Sequence, residues 1–129
     1  KGYERLVSAQ HLYNLVRRDI EREILPACEA DGVGMICWSP LAAGMLSGKY
    51  RGQNAPAEGT RHGIQKAIVE NRYWFDEARA LVDKVAGVAT RIGKAPHHVG
   101  RRGRRHTQRG GEGRVAGIRT LSLEVIDAL

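Results

Sequence analysis

The apolar run Val33-Gly34-Met35-Ile36-Cys37 empties into Trp38-Ser39-Pro40-Leu41-Ala42-Ala43-Gly44-Met45-Leu46-Ser47-Gly48-Lys49-Tyr50, a loop with two glycines, two alanines and two serines that ends in a cation. The run reads as a buried strand. Small residues after it let backbone amides approach an anion closely, with Lys49 available as counter-charge. An α/β protein builds a site for a phosphate-bearing ligand in this way.

The segments on either side fit an α/β order. Leu6-Val7-Ser8-Ala9-Gln10 predicts an earlier strand, and Asp19 to Ala30 predicts a helix, because Ile20, Ile24, Leu25 and Cys28 recur at helical spacing with charges between them. Asp19 is placed to cap that helix and Gly32 to stop it. Asp19, Glu21 and Glu23 suit the positive end of the helix dipole. A strand-helix-strand unit with the short Asp31-Gly32 link predicts parallel pairing and a right-handed crossover. Arg51 to Gly63, rich in Gly, Pro, Gln and Asn, reads as a surface loop long enough to act as a lid. Phe75 to Ile92 predicts a second amphipathic helix, with Ala78, Leu81, Val82, Val85, Ala89 and Ile92 on one face and Gly93 closing it. Gly87 inside it costs up to ~1 kcal/mol relative to Ala, so this helix leans on its packing partner.

The pattern breaks from Gly100 to Arg114, where six arginines and one glutamate supply five of the seven net positive charges and no apolar side chain occurs. The sequence pI near 9.9 is therefore a local property. Order resumes at Val115 to Thr120, and Leu123, Ile126 and Leu129 form a helical stripe within Leu121 to Leu129. No apolar run approaches the ~20 residues of a membrane span, and no signal peptide is recognised. Cys28 and Cys37 stand apart, without the spacing of a metal pair or redox motif, and read as buried thiols of a reducing cytoplasm. His97, His98 and His106 lack acidic or Cys companions at ligand spacing, which argues against a metal site.

The wording from Trp38 to Tyr50 resembles the strand-seven cofactor loop of the aldo/keto reductases, whose long-loop members carry an aromatic-Ser-Pro-Leu-Ala-x-Gly-x-Leu-[Ser/Thr]-Gly-Lys-Tyr pattern. The resemblance covers Leu6 to about Val99, and Val115 to Leu129 more loosely. It implies an α/β fold, the C-terminal portion of a (β/α)8 barrel from about strand six to helix eight. Such barrels take about 250 residues to close, whereas this chain has 129 and opens on Lys1 with no initiator Met, so it reads as a piece. The expected layout is a barrel segment with the cofactor loop over 1–99, an aberrant or disordered Arg/Gly stretch over 100–114, and the last strand with the start of the final helix over 115–129.

Residue by residue, the resemblance implies a nicotinamide cofactor, NADPH or alternatively NADH. Gln10 matches the strand-six Gln that hydrogen-bonds the carboxamide, and Trp38 matches the aromatic that stacks on the nicotinamide ring. Ser39, Pro40, Leu41, Ala42 and Ala43 match the pyrophosphate turn, Lys49 the loop cation, and Arg61 the arginine that follows it. Gly117 and Arg119 resemble the turn that holds the phosphate of the adenosine half. Leu123 and Asp127 stand where the family usually has Gln and Asn, and Asp127 disfavours a 2′-phosphate while Arg119 favours one. Taken singly, each residue has a plainer reading: Trp38 as a core or rim aromatic, Lys49 and Arg61 as surface cations, Gln10 as a sheet cap, Arg119 as a solvated helix start.

In the family, an Asp, Tyr, Lys and His set from the first half of the barrel does the chemistry, with Tyr as general acid. No segment here matches it, and Tyr13, Tyr50 and Tyr73 occupy positions used for other purposes. The resemblance therefore implies a parent that reduces aldehydes or ketones, a small carbonyl substrate, and a chain that is inactive alone for want of an N-terminal half. Two other classes stay open: an Arg/Gly segment binding nucleic acid through phosphates, and a non-catalytic partner chain with an open sheet edge as its interface. Where this chain has its Arg/Gly stretch, the family has an apolar helix and a strand start of similar length. That match of length with mismatch of chemistry leads to the hypothesis that the coding frame slips near Val99 and recovers near Val115, the rival being a genuine basic insert; resequencing that finds one clean frame through both points contradicts the slip.

Overall fold

The computed structural model describes Gly2, residues 4–102, His106–Thr107 and Ala116–Gly117. Strand β1 (Ser8–Leu12) lies parallel to β2 (Gly34–Trp38), with Ser8 opposite Gly34 and Leu12 opposite Trp38. The parallel pairing is as the strand-helix-strand pattern requires. β1 starts and ends two residues later than expected. The ladder opens with the Gly34 N–H donating to the Val7 carbonyl, so pairing to β2 sets the register and leaves the aliphatic Leu6 and Val7 outside it and exposed.

The helix expected over Asp19 to Ala30 is divided into a 3-10 turn at Asp19–Glu21 and helix α1 at Ile24–Ala30. Pro26 is the reason. Its ring would strike the Arg22 carbonyl in a continuous helix and it has no N–H to donate, so α1 restarts with Pro26 inside its first turn. Asp19 does not cap; its carboxylate takes the Arg17 guanidinium at 2.8 Å instead. Gly32 does end α1, at φ +66°, with the Gly32 N–H donating to Glu29 and the Val33 N–H to Cys28, the paired bonds of a Schellman stop.

Beyond β2, the 3-10 segment Ala42–Ser47 is followed by α2 (Arg61–Ile64), α3 (Lys66–Tyr73), α4 (Asp76–Arg91) and α5 (Pro96–Arg102). α4 fits its expected span to within a residue at each end, and Gly93 closes it with the same double bond pattern, to Thr90 and Ala89. Ile92, however, is exposed, because the helix has already ended beneath it. α2 and α3 replace part of the expected loop and its sequel. Their inward face is His62, Val69 and Tyr73, whereas Ile64 and Ile68 point outward, so apolar spacing gave no sign of them.

The main core does not lie on the sheet. It gathers Ala42, Met45, Leu46 and Tyr50 from the post-β2 segment against Val69 and Tyr73 of α3, Val82, Val85, Val88 and Ala89 of α4, and Val99 of α5. A smaller cluster of Tyr13, Ile20 and Met35 joins the sheet to α1, with Cys28 and Cys37 half-buried at its margin rather than enclosed. Ile36 on the opposite face of β2 is exposed. The short strands β3 (His106–Thr107) and β4 (Ala116–Gly117) pair antiparallel, so the described part of 115–120 does not extend the parallel sheet, although β4 comes up beside β2. Among the described residues, no helix is long and apolar enough to cross a membrane.

A Cβ at Gly87 would meet nothing within 4 Å, on the exposed side of α4. Gly87→Ala is therefore expected to raise stability by about 0.5–1 kcal/mol through backbone entropy, read as a higher urea midpoint at unchanged slope.

Candidate functional site

At the end of β2 the chain turns in an uncommon way: Ser39, Ala42 and Ala43 all take left-handed backbone angles, φ 53°, 49° and 56°, followed by Gly44 at 100°. For residues with a Cβ such angles cost about 1–3 kcal/mol each unless the surroundings fix them. The surroundings do so from both sides. Asn14, buried just beyond β1, donates its side-chain N–H to the Ser39 carbonyl at 2.8 Å while its Oδ1 accepts from the Val16 and Arg17 amides at 3.0 and 2.9 Å. The Tyr73 hydroxyl donates to Ser39 Oγ at 3.0 Å. Inside the turn, the amides of Ala42, Gly44 and Leu46 donate to Ser39, Leu41 and Leu41 carbonyls, and Ser47 Oγ donates to the Gly44 carbonyl.

Gly44 is required for what lies above it. A Cβ there would fall 2.9 Å from Lys49 Cε and 3.3 Å from its Nζ, so the missing side chain lets Lys49 fold back over the turn. Its ammonium lies 4.7 Å from the Tyr50 ring centre. From below, Gly100 of α5 sits against Leu46 and Leu41, where a Cβ would be 3.3 and 3.4 Å from their side chains. The turn is thus a thin layer of small residues between a cation and a packed helix.

Strand alternation sets the neighbouring side chains. Gln10 is opposite Ile36, and Gln10, Ile36 and Trp38 are all exposed, on the sheet face turned away from α1. Trp38 keeps 39% of its surface open and carries the Arg72 guanidinium 5.6 Å from its ring centre. Of the residues expected at a cofactor site, Gln10 at mid-strand and Trp38 at the strand end thus share one sheet face, and Ser39, Pro40, Leu41, Ala42, Ala43 and Lys49 lie in the turn that follows. Arg61 comes from α2, exposed, with Nε 3.5 Å from Gln65 Oε1. The Gly117 backbone lies in β4; Arg119, Leu123 and Asp127 are outside the described residues.

Asn14, Tyr73, Arg72 and His62 were not expected here. Asn14 had one visible signal, a lone amide within the apolar run Leu12-Tyr13-Asn14-Leu15. The others come from α2 and α3, elements without an apolar period.

A separate polar group stands behind β1. Tyr13 donates to Glu21 Oε1 at 2.5 Å, and Arg18 grips the same carboxylate with Nε and Nη2, both at 2.8 Å. Burial, and then Glu21, push the Tyr13 hydroxyl well above the usual phenol range. Burial alone would raise Glu21, but the hydrogen bonds from Arg18 and Tyr13 outweigh it and hold the carboxyl below its ordinary value. Tyr13 is therefore locked in its protonated form. Among the described residues no group of three His, Cys, Asp or Glu side chains is placed to hold a metal.

Comparison with known proteins gives the chain its relatives. YrpG, an uncharacterized oxidoreductase of Bacillus subtilis (strain 168), is 38% identical over 86 residues, 65% of this chain and 26% of its own. Versiconal hemiacetal acetate reductase of Aspergillus parasiticus is 33% identical over 92 residues, 71% of this chain and 26% of its own. The chain thus spans about a quarter of the length of these curated relatives. In fold, it is similar to a glycerol dehydrogenase of Gluconobacter oxydans, with a TM-score of 0.57 at 22% identity over 74% of this chain and 28% of that one. The sequence model of the aldo/keto reductase family matches residues 1–99, ending beside the Arg/Gly stretch. With that match covering most of its length, the chain belongs to the aldo/keto reductase family.

Proposed function

We propose that this chain is the strand-six to helix-eight portion of an aldo/keto reductase barrel and carries the cofactor-holding half of an enzyme that reduces aldehydes or ketones with NADPH, NADH being the alternative. The observation that carries the reading is the left-handed turn Ser39–Gly44 at the end of a parallel strand, with Lys49 folded over it and Trp38 open beside it. Two features fit a dinucleotide. Gly44 leaves the space through which the Lys49 ammonium reaches the turn, and the exposed indole offers a flat apolar surface for a ring.

A bound nicotinamide cofactor would supply the hydride. The chain's own residues do the holding. Trp38 fixes which face of a flat ring is presented, and Gln10, on the same sheet face, is placed to hydrogen-bond a carboxamide. The backbone from Ser39 to Ala43 lines the pyrophosphate position, Lys49 and Arg61 neutralise its charge, and Gly117 with Arg119 serve the adenosine phosphate. Arg119 favours a 2′-phosphate and Asp127 opposes one.

The general acid comes from elsewhere. Tyr13 is held protonated by burial and Glu21, and Tyr73 spends its hydroxyl on Ser39. The catalytic Asp, Tyr, Lys and His set belongs to a complementing N-terminal half, with the carbonyl substrate bound between the two. In this layout 1–99 is the cofactor segment, 100–114 interrupts it, and 115–129 corresponds to the last strand and the start of the final helix of the parent barrel, although Ala116–Gly117 here pairs antiparallel with β3; the compartment is the cytoplasm.

Titration of the purified chain with NADPH, followed by tryptophan fluorescence, tests this. Saturable quenching is expected, abolished in Trp38→Ala while Trp74 remains, and weakened roughly tenfold or more in Lys49→Ala, the loss of one charge-assisted contact. No saturable change, or equal quenching in both variants, overturns the cofactor reading.

A further inference from the structure

Helix α2 starts from a tight turn. The Thr60 hydroxyl donates to the Ala57 carbonyl at 2.6 Å and accepts from the Gly63 N–H at 3.2 Å. A Cβ at Gly63 would lie 2.4 Å from the Ala57 carbonyl oxygen, so only glycine closes the turn this way. One consequence is that His62 is driven inward and wholly buried, while Arg61 and Ile64 on either side of the pair are exposed.

The surroundings of His62 are aromatic. Its ring centre is 4.6 Å from Tyr50, 5.5 Å from Trp74 and 6.4 Å from Tyr73. Neither ring nitrogen makes a hydrogen bond of full geometry, although the Ala42 and Ala43 carbonyls lie near enough to act on the ring, and the Tyr50 hydroxyl is buried without a partner. A phenylalanine would fill the same space without burying two ring nitrogens. The location gives the imidazole a use. Tyr73 is the residue that holds Ser39, Tyr50 carries the Lys49 ammonium over its ring, and the carbonyls of Ala42 and Ala43 are the backbone acceptors that act on the imidazole. The cage is therefore the joint between segment 51–65 and the left-handed turn.

We propose that His62 is a positioning residue for the turn: neutral, it locks segment 51–65 beneath Ala42 and Ala43, and on protonation it lets that segment go and loosens the turn with it. That this loosening weakens cofactor binding rests on the function proposed above. The groups facing the ring are the phenols of Tyr50 and Tyr73 and the indole of Trp74, and the charges acting on it are the cations Lys49 and Arg61. Burial first, and then the two cations, hold its pKa below the ordinary histidine value, against the pull of the two carbonyls. A lowered folded-state pKa means that the unfolded chain binds the proton more readily. The stabilisation is accordingly complete above the ordinary value and is lost as pH falls through the lowered one.

The test follows the imidazole signals by NMR from pH 8 to pH about 4.5 on the chain without cofactor, together with amide hydrogen exchange of Ala42 to Leu46 and Arg61 to Gln65. His62 is expected to titrate below the ordinary histidine value, and both amide groups to lose protection together, by about tenfold or more, as it protonates. His62→Phe, which fills the cage with a ring that cannot titrate, is expected to keep its protection across the same range. Titration of His62 at or above the ordinary histidine value, or a loss of protection in His62→Phe equal to that of the wild type, overturns the proposal. NADPH affinity measured on both proteins separates the two readings: no binding at any pH, with the pH-dependent protection intact, removes the cofactor function and leaves the His62 joint standing.

Discussion

The side-chain amide of Asn14 on the Ser39 carbonyl is the contact that the rest of the site depends on. It joins the end of β1 to the end of β2 at the place where the chain adopts angles that a serine and two alanines ordinarily avoid. An amide side chain suits the task because it donates to one strand end while its oxygen caps two amides of the other, satisfying all three groups in a buried position. An aliphatic residue of the same size would leave the Val16 amide without a partner, at about 1–3 kcal/mol for a buried group left unmade, and would leave the Ser39 carbonyl with the Ala42 amide alone and the Arg17 amide with the Asn14 backbone carbonyl alone. Tyr73 reinforces the turn from the opposite side, through Oγ of the same serine.

The strain so held gives the turn its form. Because Ala42 and Ala43 are left-handed, Met45 and Leu46 drop into the core against α3, α4 and α5, while Lys49 folds back over Gly44. The core thus anchors the turn rather than the sheet, and the sheet keeps an open face bearing Gln10, Ile36 and Trp38. Ile36, Leu6 and Val7 are apolar and exposed, which in a barrel family is the face and edge that further strands would cover. An open-faced two-stranded parallel sheet and an enclosed helical core are thus compatible in one chain.

Much of this was legible in the sequence where periodicity and punctuation act locally. The apolar run at 33–37, the Gly32 and Gly93 stops and the α4 stripe are short-range signals, and each has a local physical counterpart in the structure. The apolar spacing of Ile20, Ile24 and Cys28 masks Pro26, and the helix splits there as backbone sterics require. α2 and α3 were not legible, because their buried positions are a histidine, a valine and a tyrosine while their isoleucines face outward. For the same reason Tyr73, Arg72 and His62 escaped notice: they act through tertiary contacts made by elements with no apolar period. The family was legible because the wording of residues 38–50 is specific, and the match over residues 1–99 agrees with it.

Amide hydrogen exchange at Ala42, Gly44 and Leu46, compared between the wild type and Asn14→Ala under conditions where both remain folded, tests most directly whether the Asn14 clamp holds the turn. These amides donate within the turn, to Ser39 and Leu41. The account predicts slow exchange in the wild type and exchange about ten- to a hundredfold faster in Asn14→Ala, with the α4 amides little changed. Equal rates at these positions in the two proteins would contradict it, for the left-handed turn would then be held by something other than the clamp between the strand ends.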